Sequence, residues 1–278
     1  MPSYQTLQLS RHPKHASVLE VVLNRPEVRN AFNEVVIDEL TRVFTTEIKS
    51  ADIRAVVLRG AGPVFCAGGD LNWMKKSIEL DRAENLKDTR KLAQLFGLMN
   101  ECPKPLIGAA HGAAIGGGVG LVSICDKVIA TQDTQFSLSE VRLGIVPACI
   151  GPFVIAKIGA SHARSLFISA ERFGAQRAYE IGLVHEVVAD EAALTAAIDK
   201  TLENITQCGP GAMAVAKALV LELSWPERRA AHPDPLEYVA DLLADVRTSP
   251  EGQEGVKAFL EKRKPAWITG KITGKSSQ

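Results

Sequence analysis

The segment Ala110-His111-Gly112-Ala113-Ala114-Ile115-Gly116-Gly117-Gly118-Val119-Gly120 constrains the fold of this chain more than any other stretch. Without Cβ atoms the main chain there can turn sharply and come close to another surface. The apolar run at 119–124 reads as the opening of a helix, whose first N–H groups have no intrahelical partner. Two readings stay open from this segment alone. It is a backbone-built site with fixed donors for a developing oxyanion, or it is a hinge joining a buried strand to a buried helix.

The flanking sequence alternates strands and helices, which points to an α/β fold. Apolar, β-branched residues 18–23 predict a strand closed by Asn24-Arg25-Pro26. Asn33 is the expected N-cap of a helix whose apolar stripe is Val36, Ile37, Leu40, Val43, Phe44 and Ile48. Strands are expected at 55–58, 106–110, 127–130 and 182–188, and helices at 71–77, 81–100, 154–168 and 176–181. Pro103 and Pro105 stop the 81–100 helix. Beyond these, 191–207, 211–223 and 236–247 are helical and rich in Ala and Leu, suited to packing on the core or on another subunit. The expected division is a core at 1–200 and a helical region at 201–278, with a mobile tail from about 269.

Composition narrows the function. With 278 residues and 46% hydrophobic content, the chain can bury a substantial core. Lys plus Arg and Asp plus Glu number 32 each, so no net field recruits nucleic acid. The five cysteines are scattered without a C-x-x-C pair, which argues against a metal site of zinc-finger type and for reduced thiols in the cytoplasm. No apolar run is long enough for a bilayer and none has the form of a secretory signal, so neither membrane insertion nor export is expected.

Two further stretches carry candidate chemistry. Phe65-Cys66-Ala67-Gly68-Gly69-Asp70-Leu71 is a small-residue turn after a predicted buried strand, a place where α/β proteins put ligands. Asp70 lines that site or caps the helix after it. Glu140 stands alone in the largely apolar stretch 136–147. Partial burial there raises a carboxyl pKa toward proton-exchanging range; the plainer reading is a surface Glu beside Arg142. His111 reads as a structural group at a strand end, and Cys149 as a small apolar filler without a partner base.

Taken together, Leu23-Asn24-Arg25-Pro26, Asn30-Ala31-Phe32-Asn33, the 65–71 turn, and Gly112 to Gly118 with Cys125-Asp126 downstream resemble the enoyl-CoA hydratase/isomerase (crotonase) family over most of the chain. The resemblance implies a spiral of ββα units, C-terminal helices that build trimers or hexamers, an acyl-CoA substrate, and no cofactor beyond the coenzyme A of that substrate. It places the thioester oxygen between the N–H groups of Gly69 and Gly117. Ala67, Gly68, Asp70 and Leu71 would then line the CoA arm, with Ala31 near the adenine. Of the family's two glutamates, the second falls on Glu140 and the first on Gly120, which has no side chain to titrate. The backbone near Ala148 would help place a water.

Further matches at 116–123, 139–144 and 170–173 look like the methylglutaconyl-CoA hydratases of bacterial leucine breakdown and related carboxylated isoprenoid-CoA hydratases. The space left by Gly120 would admit a branched, carboxylated chain, with Arg142 or Lys157 as its cation. Hydration of an enoyl-CoA is the first functional reading, double-bond isomerisation the second, and a non-catalytic acyl-CoA binder the third.

Overall fold

A computed structural model describes residues 3–269. It divides into two compact units after Lys200.

In the first unit, β1 (Leu7–Arg11) and β2 (Val18–Leu23) form an antiparallel hairpin. Helix α1 (Glu34–Thr45) begins where Asn33 accepts a hydrogen bond from the Val36 amide at 3.0 Å, and it buries Val36, Ile37, Leu40, Val43 and Phe44. Next come β3 (Ala55–Gly60), α2 (Leu71–Glu79), α3 (Arg82–Asn100), β4 (Leu106–Ala110), β5 (Ala113–Ile115) and α4 (Gly117–Ser123). They are followed by β6 (Lys127–Thr131), β7 (Gln135–Ser137), a 3₁₀ turn at Glu140–Leu143, α5 (Gly151–Ser169), β8 (Arg172–Gly174), α6 (Ala175–Glu180) and β9 (Glu186–Val188). Helix α7 (Glu191–Gln207) starts in this unit.

The larger sheet has the order β1-β2-β3-β4-β6-β9 and is parallel from β2 onward; the smaller has the order β5-β7-β8. Their pairing makes the chain a spiral. β4 pairs with β6 in the first sheet, and β5 pairs with β7 in the second, both parallel. Each turn therefore lays one strand in each sheet, with a helix at α4 closing the first of these turns. Isolated parallel bridges Cys66–Ala114 and Phe32–Gly69 extend the second layer back through the two preceding turns. Burial explains the order: β4 is wholly buried, and Val56, Val57 and Leu58 of β3 are fully covered. Parallel strands covered on both faces require such apolar runs.

The second unit contains α8 (Pro210–Ser224), α9 (Pro226–Arg229), α10 (Pro235–Thr248), α11 (Pro250–Leu260) and α12 (Ala266–Thr269). Asp234 and Ser249 cap α10 and α11 with side-chain oxygens, and a proline occupies the first turn of both. Among the described residues, no helix is long and apolar enough to cross a membrane.

Several elements differ from the sequence expectation. β1 has a mixed burial pattern and no clear alternation, while β5, β7 and β8 are three residues each, too short to show a period. α4 starts at Gly117, before the apolar run at 119–124. α5 starts at Gly151 and is broken at Gly159. Only Glu186–Val188 of the expected 182–188 strand is extended, and α11 was not foreseen. The proposed mobile tail lies outside the described residues from 270 onward.

Candidate active site

The two glycine turns meet because β3 and β4 lead into segments that pair. Phe65 N donates to His111 O at 3.0 Å, Cys66 N to Ala113 O at 3.1 Å, and Ile115 N to Cys66 O at 2.9 Å. Both strands run in the same direction through the Cys66–Ala114 bridge. Three residues further on, one reaches Gly69 and the other Gly117. Gly117 is the first residue of α4, so its N–H has no intrahelical acceptor. At the other turn Phe32 N donates to Gly68 O and Asp70 N donates to Phe32 O, each at 2.7 Å. In a parallel ladder this directs the intervening Gly69 N–H away from Phe32. Among the described residues, neither the Gly69 nor the Gly117 amide donates to a protein acceptor.

A polar clamp fixes the first turn. Arg25 reaches Ala31 O through Nη1 at 2.7 Å and Asp70 Oδ2 through Nη2 at 2.8 Å. Asp70 Oδ1 caps α2, accepting from the Asn72 amide at 2.8 Å and the Trp73 amide at 3.4 Å. Burial pushes the Asp70 carboxyl pKa up, but Arg25 and the two amides outweigh it and hold it below its ordinary value. Asn30, itself buried, donates to Ala61 O and Val64 O and accepts from the Arg25 amide. Ala67 N donates to Arg29 O at 2.9 Å. Arg25 is the positioning residue that sequence reasoning passed over; its signal lay in the Asn-Arg-Pro motif, there read as a turn and as part of the family resemblance, with no role for the side chain.

Glu140 begins the 3₁₀ turn, and its carboxylate lies against the second glycine turn. A Cβ on Gly116 would stand 3.0 Å from Glu140 Oε1. Gly116 has φ 52° and ψ −118°, a conformation open to glycine. Its carbonyl accepts from the Val119 and Gly120 amides, and its own N–H donates to Ser137 O. Among the described residues, Glu140 Oε2 is buried without a hydrogen-bond partner. Burial pushes the Glu140 pKa above its ordinary value, only partly offset by a bond from its own backbone. A carboxylate in this state is a proton acceptor with no competing cation attached.

The remaining predicted residues divide. Ala31 is buried and its carbonyl is held by Arg25. Ala67 is half-buried, Gly68 is buried, Gly69 is exposed, and Leu71 is 75% exposed. Every polar group of Asp70 is bonded within the protein, including its carbonyl to the Met74 amide, so its side chain shapes the turn rather than facing a ligand. Ala148 is exposed, but its N–H is spent on Val146 O at 2.7 Å and is not a free donor for water.

The expected opening at Gly120 is corrected. A Cβ there would lie 2.3 Å from Ile150 Cγ2 and 2.9 Å from Phe96 Cε1. Ile150 and Phe96 fill the space beside Gly120, and Phe96 continues into an aromatic wall with Phe32 and Phe153 at ring separations of 6.2 and 6.1 Å. The two candidate cations are also engaged elsewhere: Arg142 donates to Ala170 O at 3.0 Å, and Lys157 to Cys125 O at 2.6 Å. Ile150 and Phe96 escaped sequence reasoning because only folding brings positions 96, 120 and 150 together. His111 Nε2 lies 2.9 Å from Gly62 O, matching its structural reading. Burial raises the Cys149 pKa, and its Sγ contacts Thr89 O, which fits a filler rather than a nucleophile.

Comparison with known proteins agrees with this geometry. The family model "Enoyl-CoA hydratase/isomerase" matches residues 13–270. The chain is 33% identical to enoyl-CoA hydratase AKT6-1 of Alternaria alternata over 94% of its own length and 82% of that protein. It is 32% identical to the peroxisomal Delta(3,5)-Delta(2,4)-dienoyl-CoA isomerase of Arabidopsis thaliana, covering 95% of this chain and 98% of the relative. The crystal structure of an enoyl-CoA hydratase from Shewanella pealeana superposes with a TM-score of 0.87 at 35% identity, covering 95% and 96% of the two chains. The ββα spiral is thus the crotonase fold, and the chain is an enzyme of the enoyl-CoA hydratase/isomerase family.

Proposed function

We propose that this enzyme adds water across the 2,3 double bond of an enoyl-CoA thioester, using two backbone amides and one carboxylate. The observation that carries the reading is the buried, unpartnered Oε2 of Glu140, on a carboxylate set against Gly116. Gly117, whose amide is unspent, is the next residue. In the proposed step, Glu140 takes a proton from water as the oxygen bonds to Cβ. The π electrons move onto the thioester oxygen, which the Gly69 and Gly117 N–H groups stabilise. Collapse of the enolate then takes the proton from Glu140 to Cα, restoring the carboxylate. One residue moves the proton both ways, so no group is required at Gly120. Such donors typically account for a hundredfold or more in rate, because they are oriented before charge develops. This chemistry calls on no cofactor beyond the CoA carried by the substrate.

Ile150 and Phe96 close the space beside Gly120, which argues against a bulky acyl branch at that position. The sequence resemblance makes a carboxylated ester such as 3-methylglutaconyl-CoA the first substrate to try. Exposed Leu236, Phe259 and Leu260 in the helical unit support self-association into trimers or hexamers.

Isomerisation is the second reading, favoured by the single carboxylate and by the dienoyl-CoA isomerase relative. A panel of 2-enoyl, 3-enoyl and 3-hydroxyacyl-CoA esters separates the two. Loss of conjugated-thioester absorbance with a 3-hydroxyacyl product supports hydration. Conversion of a 3-enoyl to a 2-enoyl ester without hydration supports isomerisation, and inertness toward every ester overturns both.

A further inference from the structure

We propose that His12, His15 and Asp199 form a binding site for a divalent transition ion of zinc type. The connection between β1 and β2 folds back on itself, with His15 N donating to His12 O at 3.2 Å and Val18 N to His15 O at 2.8 Å. This brings the two imidazole centroids to 5.3 Å. Asp199 of α7 completes the group, and one donor atom from each residue lies within 4.8 Å of the other two.

Three observations point to an ion rather than to an ordinary polar cluster. His12 is 3% and Asp199 7% exposed, yet among the described residues Asp199 Oδ1 and His15 Nε2 are buried without a hydrogen bond, Oδ1 having only the ion-pair approach of His12 Nε2. Such orphans are rare, and they cost stability when left unmet. His12 Nε2 lies 3.3 Å from Asp199 Oδ1 and 3.8 Å from Glu20 Oε1. A tetrahedral zinc with bonds of about 2.0–2.2 Å holds its donors roughly 3.4 Å apart, so the first pair is already at that spacing. Two imidazoles with a carboxylate also suit zinc, cobalt or nickel better than magnesium or calcium.

The neighbouring charges are compatible. Lys14 Nζ engages the other oxygen of Asp199 at 2.6 Å, and Arg59 Nε lies 4.0 Å from Glu20. The Lys14 amide donates to His12 Nδ1 at 3.3 Å, which leaves the ring proton on Nε2 without an ion. Coordination through Nε2 requires that proton to move to Nδ1, at the expense of the hydrogen bond from the Lys14 amide.

The test uses the full chain after treatment with a chelator, titrated with Zn²⁺ by calorimetry and with Co²⁺ by visible spectroscopy. The expected results are one ion per chain, a four-coordinate Co²⁺ spectrum, and a higher Tm with Zn²⁺ because the ion binds only the folded state. His15→Ala, at a partly exposed position, should weaken affinity about tenfold or more, since even an outer-shell partner of a metal ligand is worth 10–100-fold. It should leave enoyl-CoA turnover unchanged, whereas Cys208→Ser should leave ion binding unchanged. Absence of binding, or equal binding by His15→Ala, overturns the proposal without bearing on the hydratase reading.

Discussion

Glu140 Oε1 lies 3.0 Å from the position a Cβ on Gly116 would occupy, so the carboxylate and the start of α4 are in contact only because residue 116 lacks a side chain. Gly116→Ala would displace the carboxylate and force a non-glycine residue into φ 52°, ψ −118°. The strain is about 1–3 kcal/mol. Turnover is expected to fall while a CoA ester still binds, and steady-state rates beside calorimetric binding check both.

Glu140 also imprints a pH dependence on stability. Burial raises its folded pKa above the unfolded value. Between the two values the folded state holds the proton more tightly, so this group lowers stability as pH rises through that window. Glu140→Gln removes the buried charge. It should melt higher than the wild type at neutral pH, with the difference shrinking as pH falls to the ordinary carboxylate range; paired melting curves across pH check the sign.

The filled space at Gly120 predicts a failure of simple restoration. Gly120→Glu adds a carboxylate but meets Ile150 and Phe96. Overpacking and burial of charge should cost at least about 2 kcal/mol. Adding Ile150→Ala should recover part of that loss, read as non-additivity in urea midpoints at constant m value.

Arg25 holds the Gly69 turn from outside it. Its side chain is 16% exposed and that of Asp70 5%, so Arg25→Ala leaves a buried carboxylate without its cation. The expected cost is about 3 kcal/mol, the lower end for breaking a buried pair. Asp70 has a depressed pKa, so its contribution is present above the ordinary carboxylate pKa and is lost as pH falls through the folded value. Arg25→Ala should therefore flatten acid-side stability and reduce turnover by loosening the Gly69 amide, which denaturation at several pH values and kcat together would show.

Much of this was legible in the chain itself because it depends on local chemistry. Asn33 announces α1 by its capping side chain, the β-branched run at 18–23 announces β2, and the two glycine turns mark themselves by composition. What stayed hidden depends on distant pairings. Gly120 reads as a gap until Ile150 and Phe96 come to cover it. Asp70 reads either as lining the site or as the cap of the next helix; its Oδ1 does cap α2, and what stayed hidden is that Arg25, 45 positions away, claims its Oδ2. The three-residue strands β5, β7 and β8 carry too little sequence to declare a period, yet β5 and β7 define the spiral.

The most direct test of single-carboxylate hydration follows a 2-enoyl-CoA ester in ¹⁸O-labelled water with the wild type and Glu140→Gln side by side. The wild type is expected to place one labelled oxygen on Cβ, and the variant to lose about 10²–10⁴-fold in rate, the usual worth of a positioned acid–base group, while binding the CoA ester normally. Labelled product from Glu140→Gln at the wild-type rate would contradict the account.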